Sequence, residues 1–308
     1  MGVPTVNDTA VDERHPPMKV RRVTFDWSRT PVHWIPDAPA ATHMVNFFQI
    51  LLTTGEKWFV QCVQEATPYL DDPRLRAEIK DFIGQEIVHA RNHQGVLDQL
   101  LAENGLPTDH ITGPAHAQLT ERAKKMAELA RRSPRRFRRR LLFELGAVSA
   151  IEHYTAVVGE WIIKNTVLDE CGADPVMLDL FRWHGAEEVE HRSVVFDVFE
   201  QLGGKYPLRA VSWVIAVTLL SSTLAAGTLD LLRRDPAIKG PVTLPRVYRS
   251  YRRSVRRGQI PGMAMFFLKE GLIYLRPSHH PSKVCSTQLA VDYLKRSPAA
   301  QAAGYTPY

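Results

Sequence analysis

The sequence predicts an all-α protein. Three observations carry this: apolar residues recur at helical spacing from about His43 to Leu202, Pro- and Asp-rich turns separate the runs, and no alternation of strand and helix signals suggests a doubly wound sheet. At 308 residues, 44% apolar and 23% charged, the chain can bury a sizeable core without staples, which excludes a small disulfide scaffold and wholesale disorder. Three stretches follow: an irregular N-terminal arm over 1–40, a helical bundle over 41–205, and an apolar helix with C-terminal helices packed on the bundle over 206–308.

The arm is rich in Pro, Asp and His without a sustained period, and Trp27 and Trp34 are placed to pin it to the body. From His43, Phe47, Ile50, Leu51, Trp58, Phe59, Cys62 and Val63 mark a first helix that stops at Pro68. The turn TPYLDDPRL precedes a second helix, carried by Leu75, Ile79, Phe82, Val88 and Leu97 and ending near Gly105; so short a connection makes the two antiparallel neighbours. Pro114 starts a third helix to about Ala130, and Ser133 with Pro134 caps and begins a longer one to about Leu168, which Gly159 weakens only modestly. After DECGADP, Asp174 as N-cap and Pro175 at the first position open a helix that runs to Leu202, where Gly203 and Gly204 stop it.

Residues 210–229 contain no charge, and their length of roughly 20 residues just reaches the hydrocarbon thickness of a bilayer. Hydroxyl residues such as Ser212, Ser221 and Ser222 weaken a full span, leaving a core or oligomer-interface helix and a membrane-contacting helix as the stronger readings. Arginines cluster at 131–140 and again at 246–257, contributing to a net charge of +6. Solvated faces or anionic lipid suit them; without interleaved aromatics they make no stacking platform, so no specific nucleic-acid partner is expected. Basic residues in MKVRR lack a following apolar run, so a secretory signal is not expected. Cys62, Cys171 and Cys285 are odd in number and far apart, as in a reducing compartment, and offer no thiolate cage. The expected location is the cytoplasm, with peripheral attachment at the inner face of the membrane as its variant.

Two Glu-x-x-His motifs stand out, Glu86 with His89 in GQEIVHA and Glu188 with His191 in AEEVEHR. Residues three apart share a helix face, so each motif presents a carboxylate and an imidazole together. Each has a glutamate on its hairpin partner at matching distance from the turn: Glu56 opposite Glu86 about residue 71, and Glu152 opposite Glu188 about residue 170. One Glu from each of two helices and one Glu-x-x-His from each of the other two is the pattern of carboxylate-bridged dimetal sites. Four buried carboxylates call for two divalent cations, and oxygen donors with imidazoles suit iron or manganese, with zinc less favoured. His184, four before Glu188 and seven before His191, is a third imidazole candidate. The expected metal set is thus Glu56, Glu86, His89, Glu152, His184, Glu188 and His191, with Glu152 and His184 also in catalytic roles. Glu144 and Glu160 compete with Glu152; His93 and Glu187 suit positions behind the ligands, and Asp197 and Tyr154 are further orienting candidates.

With HMVNFFQILLTTGEKWFV, LRAEIKDFIGQEIVHARNH, FRWHGAEEVEHRSVVFDVF and the C-terminal YLRPSHHP, most of the chain resembles the bacterial family of predicted metal-dependent hydrolases. The resemblance implies a ferritin-like four-helix bundle with extra C-terminal helices, and a metal motif falling on Glu56, Glu86, His89, Glu152, Glu188 and His191. The His184, Glu188, His191 spacing is also similar to that of the aromatic-amine N-oxygenases, diiron enzymes with three histidine ligands. No nucleophile elbow or zinc-protease motif is present to support the hydrolase name. The leading expectation is therefore a dinuclear non-haem iron oxygenase or oxidase, holding two Fe ions, or Mn or mixed Fe/Mn. It would act on a hydrophobic or aromatic small molecule with dioxygen and an external electron donor, as a monomer or homodimer. A dimetal hydrolase and a noncatalytic metal-storage protein are the alternatives.

Overall fold

The computed structural model describes residues 18–305, and the first 17 residues of the predicted arm lie outside the described residues. The protein is all-α, with packed helices and, among the described residues, no strand. Four long helices frame the molecule: α1 (Pro39–Ala66), α2 (Pro73–Gly95), and, after α3 (Asp109–Arg132), α4 (Pro134–Lys164); a one-turn α5 (Val167–Glu170) leads to α6 (Pro175–His191). α1 packs on α2 and α4 on α6, and α1 also meets α4 while α2 meets α6, so all four face a common interior. Each starts with a proline in its first turn, but only α2 and α6 are capped by a side chain, and Ser133, expected to cap α4, makes no such bond. Asp72 accepts the amide of Arg74 and Asp174 that of Met177, each directly before a proline at the first helical position, where a missing N–H costs nothing.

Several boundaries differ from the sequence reading. α1 begins at Pro39, α3 begins at Asp109 with Pro114 inside it, and the second helix passes at Val96 into a π-helical turn ending at Ala102. The helix expected to run unbroken to Leu202 breaks after His191, and α7 (Val194–Gln201) restarts two residues later. Arg192 at the break is fully buried, its guanidinium donating to the carbonyl of Pro281 and the hydroxyl of Thr287, so the C-terminal segment takes the side chain that a continuous helix would have left elsewhere.

Two apolar clusters bracket the middle of the bundle. One joins Trp27 and Trp34 of the arm to α6, α11 (Thr287–Leu294) and α12 (Pro298–Ala302) and includes the α4–α6 turn; the other joins Phe59, Phe82, Leu145 and Val195 near the α1–α2 turn. The layer between them is polar. α8 (Tyr206–Arg234) lies against α4 and α1, followed by α9 (Leu244–Arg256) and α10 (Met263–Tyr274). In its most apolar 18-residue window only 22% of α8 is buried, so it is not a helix buried on every side within this chain; α4, of similar length but less apolar, is 72% buried in its own window and is a core helix.

Candidate metal centre

The polar layer is built from mid-helix side chains. α1 supplies Glu56, α2 supplies Glu86, His89 and His93, α4 supplies Glu152 and Thr155, and α6 supplies His184, Glu187, Glu188 and His191; all are buried. Spacings of three and four within α2 and α6 bring each set to one face. α4 and α6 cross at Gly159 and Gly185, where a Cβ on Gly159 would lie 2.4 Å from the Gly185 carbonyl oxygen. That close approach sets the distance at which Thr155 and Glu188 meet.

Two groups of donor atoms result, Glu86 with His89, Glu188 and His191, and Glu56 with His93 and His184, each group within 4.8 Å. Glu188 links them, with Oε1 2.7 Å from His184 Nε2 and 3.9 Å from His89 Nδ1. Glu56 Oε1 lies 3.6 Å from the Nε2 atoms of both His93 and His184, and Glu86 Oε1 lies 3.6 Å from His191 Nε2. Glu152 stands outside both groups, its Oε2 accepting from His191 Nδ1 at 2.9 Å. The pairing at equal heights predicted from the turns is therefore shifted. Side chains lean toward the N-terminus of their own helix, so on antiparallel helices residues at equal heights splay apart. Glu56 leans toward the level of His93, and Glu152 toward His191, while Glu188 leans back to His184 and accepts from the Thr155 hydroxyl.

Hydrogen bonds behind the layer fix the imidazole tautomers. His89 donates from Nε2 to Glu187 at 2.9 Å, and Glu187 also accepts from Trp183 Nε1 and Arg21. His191 donates from Nδ1 to Glu152. His93 Nδ1 donates to the Gln49 amide oxygen at 2.8 Å, leaving its Nε2 to accept from His184 Nδ1 at 2.7 Å. Two ring nitrogens, His89 Nδ1 and His191 Nε2, are left facing carboxylate oxygens at 3.6–4.0 Å, while His184 Nε2 is hydrogen-bonded to Glu188 Oε1 at 2.7 Å. His89 Nδ1, His191 Nε2, both oxygens of Glu56 and of Glu86, and Glu152 Oε1 have no hydrogen-bond partner. Acceptors thus face acceptors in a dry interior, an arrangement that costs several kcal/mol unless a proton or a cation lies among them.

The electrostatics agree. Burial, with neighbouring carboxylates, pushes Glu56 and Glu86 well above the usual glutamate range, and burial beside Glu188 raises Glu152 to about 7 against the pull of His191. Burial and neighbouring imidazoles hold His89 well below the ordinary histidine value, and burial next to His184 does the same to His93. His191 moves the other way: burial opposes its charge, yet Glu188 and Glu152 raise it to about 9. For Glu188, burial is likewise overcome, by His191, His184 and Thr155, which hold it below the usual range. The donor set fits a pair of divalent cations, since two such ions cancel the formal charge of Glu56, Glu86, Glu152 and Glu188.

Other sequence candidates fall elsewhere. Glu144 is bound by Arg122 and Arg140, Glu160 accepts the amide of Ser286, Asp197 pairs with His280, and the Tyr154 hydroxyl donates to the Phe267 carbonyl. Sequence reasoning did not single out Gln49, Thr155, Trp183 or Arg21 for the site. Gln49 is seven residues before Glu56 and Thr155 three after Glu152, a periodicity that points to them; nothing in the aperiodic arm points to Arg21. A cavity with almost wholly apolar walls reaches the layer at Thr155, His184 and Glu188, running outward past Phe48, Val158, Leu224 and Phe267.

The chain matches the family described as "Predicted metal-dependent hydrolase" over residues 19–284. No curated protein and no solved structure matches it. The family match overturns the expectation of a diiron oxygenase or oxidase, and with it the oxidoreductase class; nothing supports amine-oxygenase activity. The physical reason is that Glu-x-x-His spacing fixes donor atoms and charge, and the same donors serve Lewis-acid and redox chemistry alike.

Proposed function

The chain belongs to the family of predicted metal-dependent hydrolases, and from that membership we propose a dimetal hydrolase whose substrate carries an extended apolar portion. One observation carries the metal pair: His89 Nδ1, His191 Nε2 and both carboxylate oxygens of Glu56 and of Glu86 are buried in this layer with no hydrogen-bond partner. In this reading α1, α2, α4 and α6 are a ferritin-like four-helix bundle with the later helices added to it. Glu86, His89 and His191 would hold one ion and Glu56 with His184 the other, with Glu188 between them. Glu152 orients the His191 ring so that Nε2 faces Glu86, and Gln49 through His93 orients the His184 ring so that Nε2 faces Glu188. Iron or manganese suits the oxygen-rich donors, and hydrolysis needs no redox change. Divalent ions there would supply Lewis acidity, lowering the pKa of water and polarising a carbonyl or phosphoryl group.

The chain's own residues do the rest. Apolar walls exclude bulk water and seat the unreactive part of the substrate, so that its polar group comes to rest beside Glu188, His184 and Thr155. The Thr155 hydroxyl, donating to Glu188 Oε2, fixes that carboxylate's orientation where substrate arrives. Metal storage has less support, because the route inward offers ions almost no polar side chain. Elemental analysis with hydrolysis of long-chain and short-chain 4-nitrophenyl esters and phosphodiesters tests the proposal. We expect two metal equivalents, loss of hydrolysis on chelation, recovery with redox-silent zinc or magnesium, and at least 100-fold loss in Glu188→Gln. Hydrolysis that survives both chelation and Glu188→Gln, or a folded protein that takes up no metal, would sink it.

A further inference from the structure

The outer end of the apolar cavity opens between two helices that also expose large apolar side chains, with Lys269 of α10 exposed among them. Leu220 and Leu224 of α8 and Phe266 and Phe267 of α10 line the cavity, while the residues beside them point outward. Leu219 of α8 is 61% exposed, and Met265, Leu268 and Leu272 of α10 are 68%, 55% and 63% exposed. The two helices are in contact, the Trp213 ring lying so close to Gly271 that a Cβ there would come within 2.3 Å of it. Their outward side chains form one apolar face beside the cavity mouth.

α9 supplies the charge. Arg249, Arg252, Arg253, Arg256 and Arg257 line a shallow groove with Tyr248, α9 contains no acidic residue, and none of these arginines is ion-paired to a carboxylate among the described residues. The groove is tied to the cavity wall through the chain: it leaves α9 through Gln259, Ile260 and Pro261, which line the cavity, and the amide of Met263, another lining residue, donates to the Tyr251 hydroxyl of α9 at 2.7 Å. An apolar face beside unneutralised arginines matches the cross-section of an anionic bilayer, acyl chains below and phosphates at the surface. A second copy of this face would bring arginines toward arginines with no carboxylate on α9 to answer them.

We propose that the α8–α10 face docks on an anionic lipid bilayer, from which an acyl chain enters the cavity toward Glu188. The substrate class rests on the hydrolase reading; the docking does not. Co-sedimentation of the full chain with phosphatidylcholine vesicles, with and without phosphatidylglycerol, measures docking without turnover. We expect partitioning to rise with phosphatidylglycerol and to fall in salt, and each of Arg249→Ala, Arg252→Ala and Arg256→Ala to lower it about fivefold. Leu219→Asp with Leu268→Asp should reduce it at least tenfold at unchanged helicity, whereas Arg135→Ala with Arg136→Ala and Arg139→Ala, in the other arginine cluster, should leave it within twofold. Equal partitioning to both vesicle types, insensitivity to Leu219→Asp with Leu268→Asp, or a stable dimer that those substitutions dissociate overturns the proposal. Glu188→Gln separates the two readings: it should bind vesicles like the native chain while losing hydrolysis, so intact docking by an inactive native protein would count against the hydrolase alone.

Discussion

Glu187 does not face the gap between the donor groups, yet it governs the imidazole that does. It accepts from His89, Trp183 and Arg21, and burial lifts its pKa to about 8 against the pull of Arg21. Replacing one of its acceptor oxygens with an amide donor loosens the tautomer that leaves His89 Nδ1 facing the gap, so Glu187→Gln should weaken metal binding about 10–100-fold, read by competition with a chromophoric chelator. Glu86 makes the opposite case, a residue whose presence costs stability. Its folded pKa is raised well above the ordinary 4.5, so its contribution to the metal-free protein is present below 4.5 and lost as pH rises. Glu86→Gln should therefore raise the Tm of metal-free protein, increasingly as pH climbs above 4.5, while abolishing two-metal binding; a pH-independent change in Tm would contradict this. Glu86 and His89 were legible because a three-residue spacing is local. Arg21, reaching Glu187 from 166 residues away, was not.

The crossing of α4 and α6 shows what an element-level reading of sequence leaves out. In the sequence Gly159 is only a weak spot in a long helix, but in the fold it lets two backbones touch and sets the Thr155–Glu188 contact. Gly159→Ala should cost about 1–3 kcal/mol in urea unfolding and weaken metal binding, because neither backbone can yield without moving the helix. Gly55→Ala, with nothing within 4 Å of the added methyl, should stabilise by up to about 1 kcal/mol through helix propensity. Equal effects at the two glycines would show that the crossing is not tight. Helix existence and the capped start of α6 follow from local chemistry and were read from Asp174 and Pro175, whereas the Asp72 cap of α2 was read only as part of a turn and the cap expected from Ser133 on α4 does not form. The break after His191 was not, since Arg192 finds its acceptors on the C-terminal segment about 90 residues away.

For the whole molecule, the consequence of packing is a dry passage from the surface to a charged layer. Val158 lines it without touching the donor atoms, so Val158→Trp should lower kcat/KM for the longest esters at least tenfold, spare the shortest, and leave metal content unchanged; uniform loss across chain lengths would argue against the passage as the substrate's seat. Chelation should lower Tm in a metal-concentration-dependent way, as for any ligand held only by the folded state. By itself the sequence determined the all-α class, the hairpin order, and the types of donor atom, because each depends on residues within a turn or two of one another. Which glutamate meets which histidine, the relay from Gln49 through His93 to His184, the clamp of Arg21 on Glu187, and the apolar passage were decided only in three dimensions. The direction a side chain leans and the distance between two helices are set by partners far away in the chain.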